Sequence, residues 1–267
     1  MNITTQNGCS LRQLEGIEAA YWQRYYQQAG YQGQVHAAMA CALPQLDALA
    51  FNRVVGLGQG KANNPEALED IIHFYQRAGV PRFMIQLPPQ LVDELTACVL
   101  ESKGFVHHNN WSKLVRDTSP FETANNTSLT IEKLTPDNAA VFGEIIYDCF
   151  DWEGAFLPDF LSAPVGQKGY THFAACYKGK PIAVAALYVE GDMEAMAFAG
   201  TRKEYRGLGA QTLLLKTRID QARKLGARWV CAETGQHFED KPVKSYQNML
   251  KVGFELTYQR QNWLYTF

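Results

Sequence analysis

Apolar residues recur at three- and four-residue steps over residues 11–29 (Leu11, Leu14, Ile17, Ala20, Tyr21, Tyr25), the spacing of one buried helix face. The apolar stretch VHAAMACALPQLDALAFNRVVGL follows and predicts two strands, the second near residues 52–57. At Asn64-Pro65-Glu66 a side chain that can cap orphan amides precedes a proline whose missing N–H costs a first turn nothing. The helix predicted there turns Leu68, Ile71, Ile72 and Tyr75 inward and stops at Gly79-Val80-Pro81. RFMIQL (82–87) predicts a strand, LVDELTACVLESKGF (91–105) a helix closing on Gly104-Phe105, and residues 111–115 a last strand. The polar, aperiodic TSPFETANNTS (118–128) reads as a linker.

Beyond it, LTIEKL predicts a strand and AAVFGEIIYDCF a helix, with Asp137 as its cap. After the loop Phe150-Asp151-Trp152-Glu153 comes a short apolar segment, FLPDFLSAP. THFAACYK, PIAVAALYVE and EAMAFAGT predict three strands, the first two joined by a hairpin turn at Lys178-Gly179-Lys180-Pro181. The turn TRKEYRGLGA leads into an amphipathic helix expected to point Leu208, Leu215, Ile219 and Ala222 inward and its lysines and arginines outward. RWVCAET then predicts a strand, SYQNMLKVGF a helix, and ELTY and RQNWLYTF two final strands. Both halves end in strand, helix, strand, a helix closing on Gly-Phe (LESKGF, MLKVGF), then β-structure, which suggests a duplication. The pattern predicts an α/β fold with a mixed central sheet flanked by helices.

At 267 residues the chain suits two domains of about 100–150 residues each. The expected division is 1–120 and 128–267. A formal net charge of -2 argues against nucleic acid as a partner. Six scattered cysteines without a CxxC pair or cysteine–histidine spacing argue against zinc and disulfides. No signal-peptide pattern and no membrane-length apolar run are seen, so a cytoplasmic, membrane-free protein is expected.

The chemistry concentrates at residues 195–226. Gly207 and Gly209 stand just before a helix whose first amides lack intrahelical acceptors and whose N-terminus is partly positive. Such a turn can hold a phosphate or pyrophosphate, or it can simply relieve strain between strand and helix. The earlier Gly56-Leu57-Gly58-Gln59-Gly60-Lys61 fails as a phosphate loop. Val55 stands where the first glycine is needed, and Ala62 where serine or threonine is needed.

Three features in order, the strand MAFAGT, the turn Tyr205-Arg206-Gly207-Leu208-Gly209-Ala210 and the helix SYQNMLKVGF, resemble the GCN5-related N-acetyltransferase family over residues 128–267. Arg206 and Gly209 match the family's Arg/Gln-x-x-Gly-x-Gly/Ala loop, whereas Gln211 stands where Gly or Ala is usual. The first half resembles the same fold without the loop, as in tandem members with one degenerate repeat. The resemblance implies acetyl-CoA as co-substrate and no metal. It implies that Arg206, Gly207, Leu208, Gly209, Ala210 and Gln211 cradle the pyrophosphate, and that Asn248 belongs to the cofactor side. The pantetheine arm would run along Phe198, Ala199, Gly200 and Thr201, where a backbone N–H would stabilise the oxyanion while a neutral amine attacks directly.

A base and an acid are then needed. Glu233, at the end of the strand beside the cleft, is the first candidate base; Glu190, Asp192, Cys231 and His237 are weaker ones. Met249 stands where family members carry the acid tyrosine, so Tyr246, one turn earlier, is the candidate acid. Trp152 and Glu153, with Phe150 and Asp151, offer an aromatic slot edged by carboxylates for an amine-bearing small molecule. The function expected is acetyl transfer from acetyl-CoA to a small amine; the alternative is a non-catalytic acyl-CoA-binding or sensor protein.

Overall fold

The computed structural model describes residues 8–28, 33–36, 38–58, 61–121, 128–150 and 152–267. Asp151, Gln59 and Gly60, and most of the expected linker lie outside the described residues. The first half runs α1 (Leu11–Gln28), β1 (Gln34–Val35), β2 (Ala38–Cys41), β3 (Arg53–Val55), α2 (Pro65–Ala78), β4 (Arg82–Leu87), α3 (Glu94–Ser102) and β5 (Val106–Asp117). The second runs β6 (Leu129–Lys133), α4 (Ala140–Cys149), α5 (Leu157–Ser162), β7 (Tyr170–Tyr177), β8 (Lys180–Glu190) and β9 (Met193–Thr201). It ends with α6 (Ala210–Lys224), β10 (Trp229–Gly235), α7 (Lys244–Lys251) and β11 (Glu255–Thr266).

All described strands join one mixed sheet in the order β1-β2-β3-β4-β11-β5-β10-β9-β8-β7-β6. Strand side chains alternate between its faces, so Met39 and Cys41 pack with α1, α4 and α5, whereas Ala38 and Ala40 pack with α2 and α3. On the second half that same face carries α6 and α7.

The two halves trade their last strands. β5, last in the first half, pairs antiparallel with β10 of the second, from Trp229 opposite Asp117 to Gly235 opposite Trp111. β11, last in the second, lies between β4 and β5, with Gln261 opposite Leu87 and Thr266 opposite Arg82. The division expected near residue 120 is therefore crossed by the sheet itself.

Several expectations are corrected. Asp137 does not cap α4: a 3-10 turn at Pro136–Asn138 precedes it, closed by the Thr135 N–H on Asn138 Oδ1 (2.7 Å), and α4 has no side-chain cap. FLPDFLSAP contains a helix, α5. The strand expected at residues 111–115 spans twelve residues, because the exposed His107-His108-Asn109 stretch has no apolar alternation to announce it. ELTY and RQNWLYTF are one strand with a register shift between Leu256 and Tyr258. Arg218 of α6 points inward and is 2% exposed. No helix among the described residues is long and apolar enough to cross a membrane.

Candidate functional site

The site begins where the sheet opens. β9 and β10 pair in parallel only at Met193, Glu194 and Ala195, opposite Trp229, Val230 and Cys231. Beyond that the strands part. β9 also carries an extra residue against β8, since Ala185 faces Ala199 but Leu187 faces Met196. Such a bulge bends and twists its strand. Arg218 braces it, donating from Nη1 to the carbonyls of Ala186 (3.2 Å) and Ala197 (3.5 Å). The opening is a cleft of about 830 Å³.

At its outer end lies the glycine turn. Gly207 (φ 90°) and Gly209 (φ 84°) adopt left-handed conformations, and a Cβ on either would meet nothing within 4 Å. Backbone conformation, not space, demands glycine here. α6 starts at Ala210 with no capping side chain, so its first-turn amides are offered to the cleft. Arg206, Gly207, Gly209, Ala210 and Gln211 line this end. Gln211 donates from Nε2 to Thr201 Oγ1 (2.7 Å), which turns its side chain onto β9. Leu208 is half-buried against the apolar cluster around Leu214 and does not line the cleft.

In the first half α2 follows β3 as α6 follows β9, but its N-terminus is closed. Asn64 Oδ1 accepts from the N–H groups of Glu66 (2.9 Å) and Ala67 (3.1 Å), and Pro65 has none to give.

Phe198, Ala199, Gly200 and Thr201 form the middle wall. A Cβ on Gly200 would lie 2.8 Å from Cys149 Sγ, so glycine lets α4 approach β9. Burial raises the Cys149 thiol above its ordinary value, which argues against a nucleophilic thiolate.

The inner end is built largely by the first half: Glu18, Tyr21 and Trp22 from α1, Arg53 from β3, and Trp111 and Lys113 from β5. The Arg53 guanidinium lies 4.6 Å from the Trp22 ring centre and 5.2 Å from that of Trp111. Both oxygens of Glu233 are engaged, Oε1 with Arg53 Nη1 (2.9 Å) and Oε2 with Arg260 Nη1 (2.5 Å). Glu18 meets Lys113 and Arg260 (2.7 Å), with Arg53 at 3.7 Å. Burial pushes the Glu18 carboxyl up, but Arg260, Lys113 and Arg53 outweigh it and hold the group well below the usual carboxylate range. On the same wall burial pushes the Cys231 thiol up to about 12, so it stays protonated.

The structure brings Glu233, Asn248 and Trp152 into the cleft, together with the cofactor-side residues other than Leu208. Tyr246 does not line it. Its ring stacks on His237 (4.8 Å, 7°) while Met249 and Ser245 face the cavity. Trp152 stacks on Phe150 (4.4 Å, 5°) and meets Phe51 edge-on, whereas Glu153 is exposed and outside the lining. Glu190 and Asp192 stay at the hairpin tip, accepting from Tyr188 (2.7 Å) and Gln13 (3.2 Å). The inner set from the first half was missed in the sequence. Its one signal there is charge inside apolar surroundings, Glu18 beside Ile17 and Lys113 before Leu114.

Comparison with known proteins fits this geometry. A family model described as an acetyltransferase (GNAT) domain matches residues 131–239. No curated protein matches the sequence. Among solved structures, a GCN5-related N-acetyltransferase from Kribbella flavida aligns over 94% of both chains with a TM-score of 0.62 at 16% identity. One from Sphaerobacter thermophilus aligns over 80% of this chain and 71% of its own, with a TM-score of 0.62 at 12% identity. A tandem GNAT protein from the clavulanic acid biosynthesis pathway covers 80% of this chain and 74% of its own, with a TM-score of 0.58 at 13% identity. These likenesses concern the fold, while the family model reaches the strand, the glycine turn and its helix. Residues 131–239 thus match an acetyltransferase (GNAT) domain, and the chain as a whole shares the fold of solved GCN5-related N-acetyltransferases.

Proposed function

We propose that the chain transfers an acetyl group from acetyl-CoA to the amine of a small molecule within a ternary complex. One observation carries this reading: the cleft runs unbroken from the uncapped start of α6 to a chamber of aromatic rings and buried charges. A pyrophosphate suits the first end, and a compact acceptor suits the second better than a folded protein would. The cradle fits coenzyme A because both glycines leave open space and no side chain occupies the helix terminus. Arg206 and the first amides of α6 hold the phosphates, the exposed edge of β9 takes the pantetheine arm, and Asn248 flanks it. Bound there, the thioester supplies an activated acyl group.

The chain's own residues do the rest. A backbone N–H within residues 198–201 polarises the carbonyl oxygen. Glu233, fixed by two guanidinium groups, attracts the cationic amine and orients the water through which its proton leaves. Trp152 walls the acceptor, and Tyr246 takes no part in proton transfer because it faces His237. The first half acts as a repeat without a cradle, since Asn64 occupies the amides that α6 leaves open.

A second reading, binding of acyl-CoA without turnover, is favoured by Met249 in the cleft and Tyr246 outside it. Thiol release from acetyl-CoA with a broad amine panel, run beside calorimetric binding of CoA, separates the two. Release with at least one amine supports the enzyme. Binding with no release from any amine sinks it in favour of the second reading, and no binding sinks both.

A further inference from the structure

Two polar groups at the inner end of the cleft are buried and have no partner. The Tyr21 hydroxyl and the Arg53 Nε–H both lack a hydrogen bond, although Tyr21 is 4% and Arg53 5% exposed. Both residues line the cleft, and both pack on Trp22: its ring centre lies 5.0 Å from that of Tyr21 and 4.6 Å from the guanidinium. An unmet buried donor costs stability and is rare, so a pair of them in one cavity calls for a ligand atom. Arg53 cannot turn away to find another acceptor, because Gln86 (2.7 Å) and Glu233 (2.9 Å) already hold its Nη1.

The charges of the chamber define the guest further. Glu15, Glu18 and Glu233 face Arg53, Lys113 and Arg260, so the cluster is balanced before anything enters. Net charge buried beside it would go uncompensated, whereas a guest with one charge of each sign preserves the balance. One guanidinium N–H and one phenol O–H match the two oxygens of a carboxylate. A dianionic phosphate would exceed both the donors and the charge available.

We infer that the acceptor is an amine that also carries a carboxylate, an amino-acid-like zwitterion whose carboxylate is held by Arg53 Nε–H and the Tyr21 hydroxyl. The inference names the substrate of the acyltransfer site proposed above and rests on that reading, but binding tests it without turnover. Trp22, Trp111 and Trp152 line the cavity, so tryptophan fluorescence reports its occupancy.

Small amino acids and ω-amino acids should bind more tightly than their amides or decarboxylated amines. Tyr21→Phe, which removes one oxygen, should weaken the carboxylate series about tenfold and leave the amides unchanged. Arg53→Lys, which keeps the charge and loses the Nε–H together with the Nη1 bonds to Gln86 and Glu233, should weaken the carboxylate series more than the amides. If that variant fails to fold, Tyr21→Phe alone decides. Equal binding of acids and amides, no binding of either, preference for inorganic phosphate, or an unchanged Tyr21→Phe protein would overturn the inference. In a turnover assay, equal rates with zwitterions and simple amines would overturn it while leaving the acyltransferase reading intact. Carboxylate-selective binding with no acylation would uphold this subsite and remove the enzyme.

Discussion

Gly200 and Gly209 are both glycine for reasons that differ, and substitution should separate them. At Gly200 the obstacle is Cys149, 2.8 Å from a would-be Cβ; at Gly209 it is a φ of 84° with open space around it. Gly200→Ala should therefore push α4 from β9 and cost about 1–3 kcal/mol in chemical denaturation. Gly209→Ala should cost about 1–2 kcal/mol through backbone strain and also weaken CoA binding measured by calorimetry. His172 is 1% exposed, lies edge-on to Phe142, and both its ring nitrogens lack partners. Burial pushes its pKa down to about 3 from 6.5, so between those values the unfolded chain binds a proton that the folded chain refuses. Stability is complete above pH 6.5 and falls as pH drops, by up to about 1.4 kcal/mol per unit. His172→Phe should flatten that slope between pH 6.5 and 4.5 in urea titrations. Glu18, whose carboxyl is depressed, adds stability that is lost only as the pH falls below its ordinary value of 4.5. Lys113→Met would strip Glu18 of one cation and should cost about 3–5 kcal/mol, read as a fall in Tm. The sequence named the glycines but not these buried charges, because a lone Glu or Lys between apolar residues looks the same whether it reaches water or a distant arginine.

At the scale of elements, α2 and α6 hold the same place in their halves and differ at one end. α2 is sealed by Asn64, and α6 is left open. Asn64→Ala should destabilise the protein by about 1 kcal/mol and leave CoA affinity unchanged; any loss of affinity would mean that the first half takes part in cofactor binding. Both helix starts were legible, since Asn-Pro-Glu and Gly-x-Gly-Ala are local signals that act within one turn. The inward turn of Arg218 was not. Its partners, the carbonyls of Ala186 and Ala197, lie on two strands, and one exists as an acceptor only because β9 bulges there. Likewise β5 was half legible: its buried end shows through Trp111, Leu114 and Val115, while its exposed His107-His108-Asn109 end is held by β11, far away in sequence.

In the molecule as a whole, the exchange of β5 and β11 ties the inner end of the site to both halves. Lys113 and Trp111 reach the cleft on a strand from the first half that completes the sheet of the second. Residues 128–267 expressed alone would leave β10 without β5 and β11 without β4, so they should bind no CoA and show no cooperative melting transition. The whole chain should melt once, with fluorescence and circular dichroism coinciding. Local patterns could foretell two similar halves but not the exchange, because β11 carries the same alternation whichever neighbours receive it. The exchange also sets a timetable for synthesis. β4 and β5 leave the ribosome early, yet the strand that belongs between them emerges after every other described strand. Until it does, two sheet edges stand open, the kind of surface on which nascent chains aggregate. Completion of the inner chamber thus waits for the synthesis of β11, and slowing translation through its codons should lengthen the period in which the chain depends on chaperones.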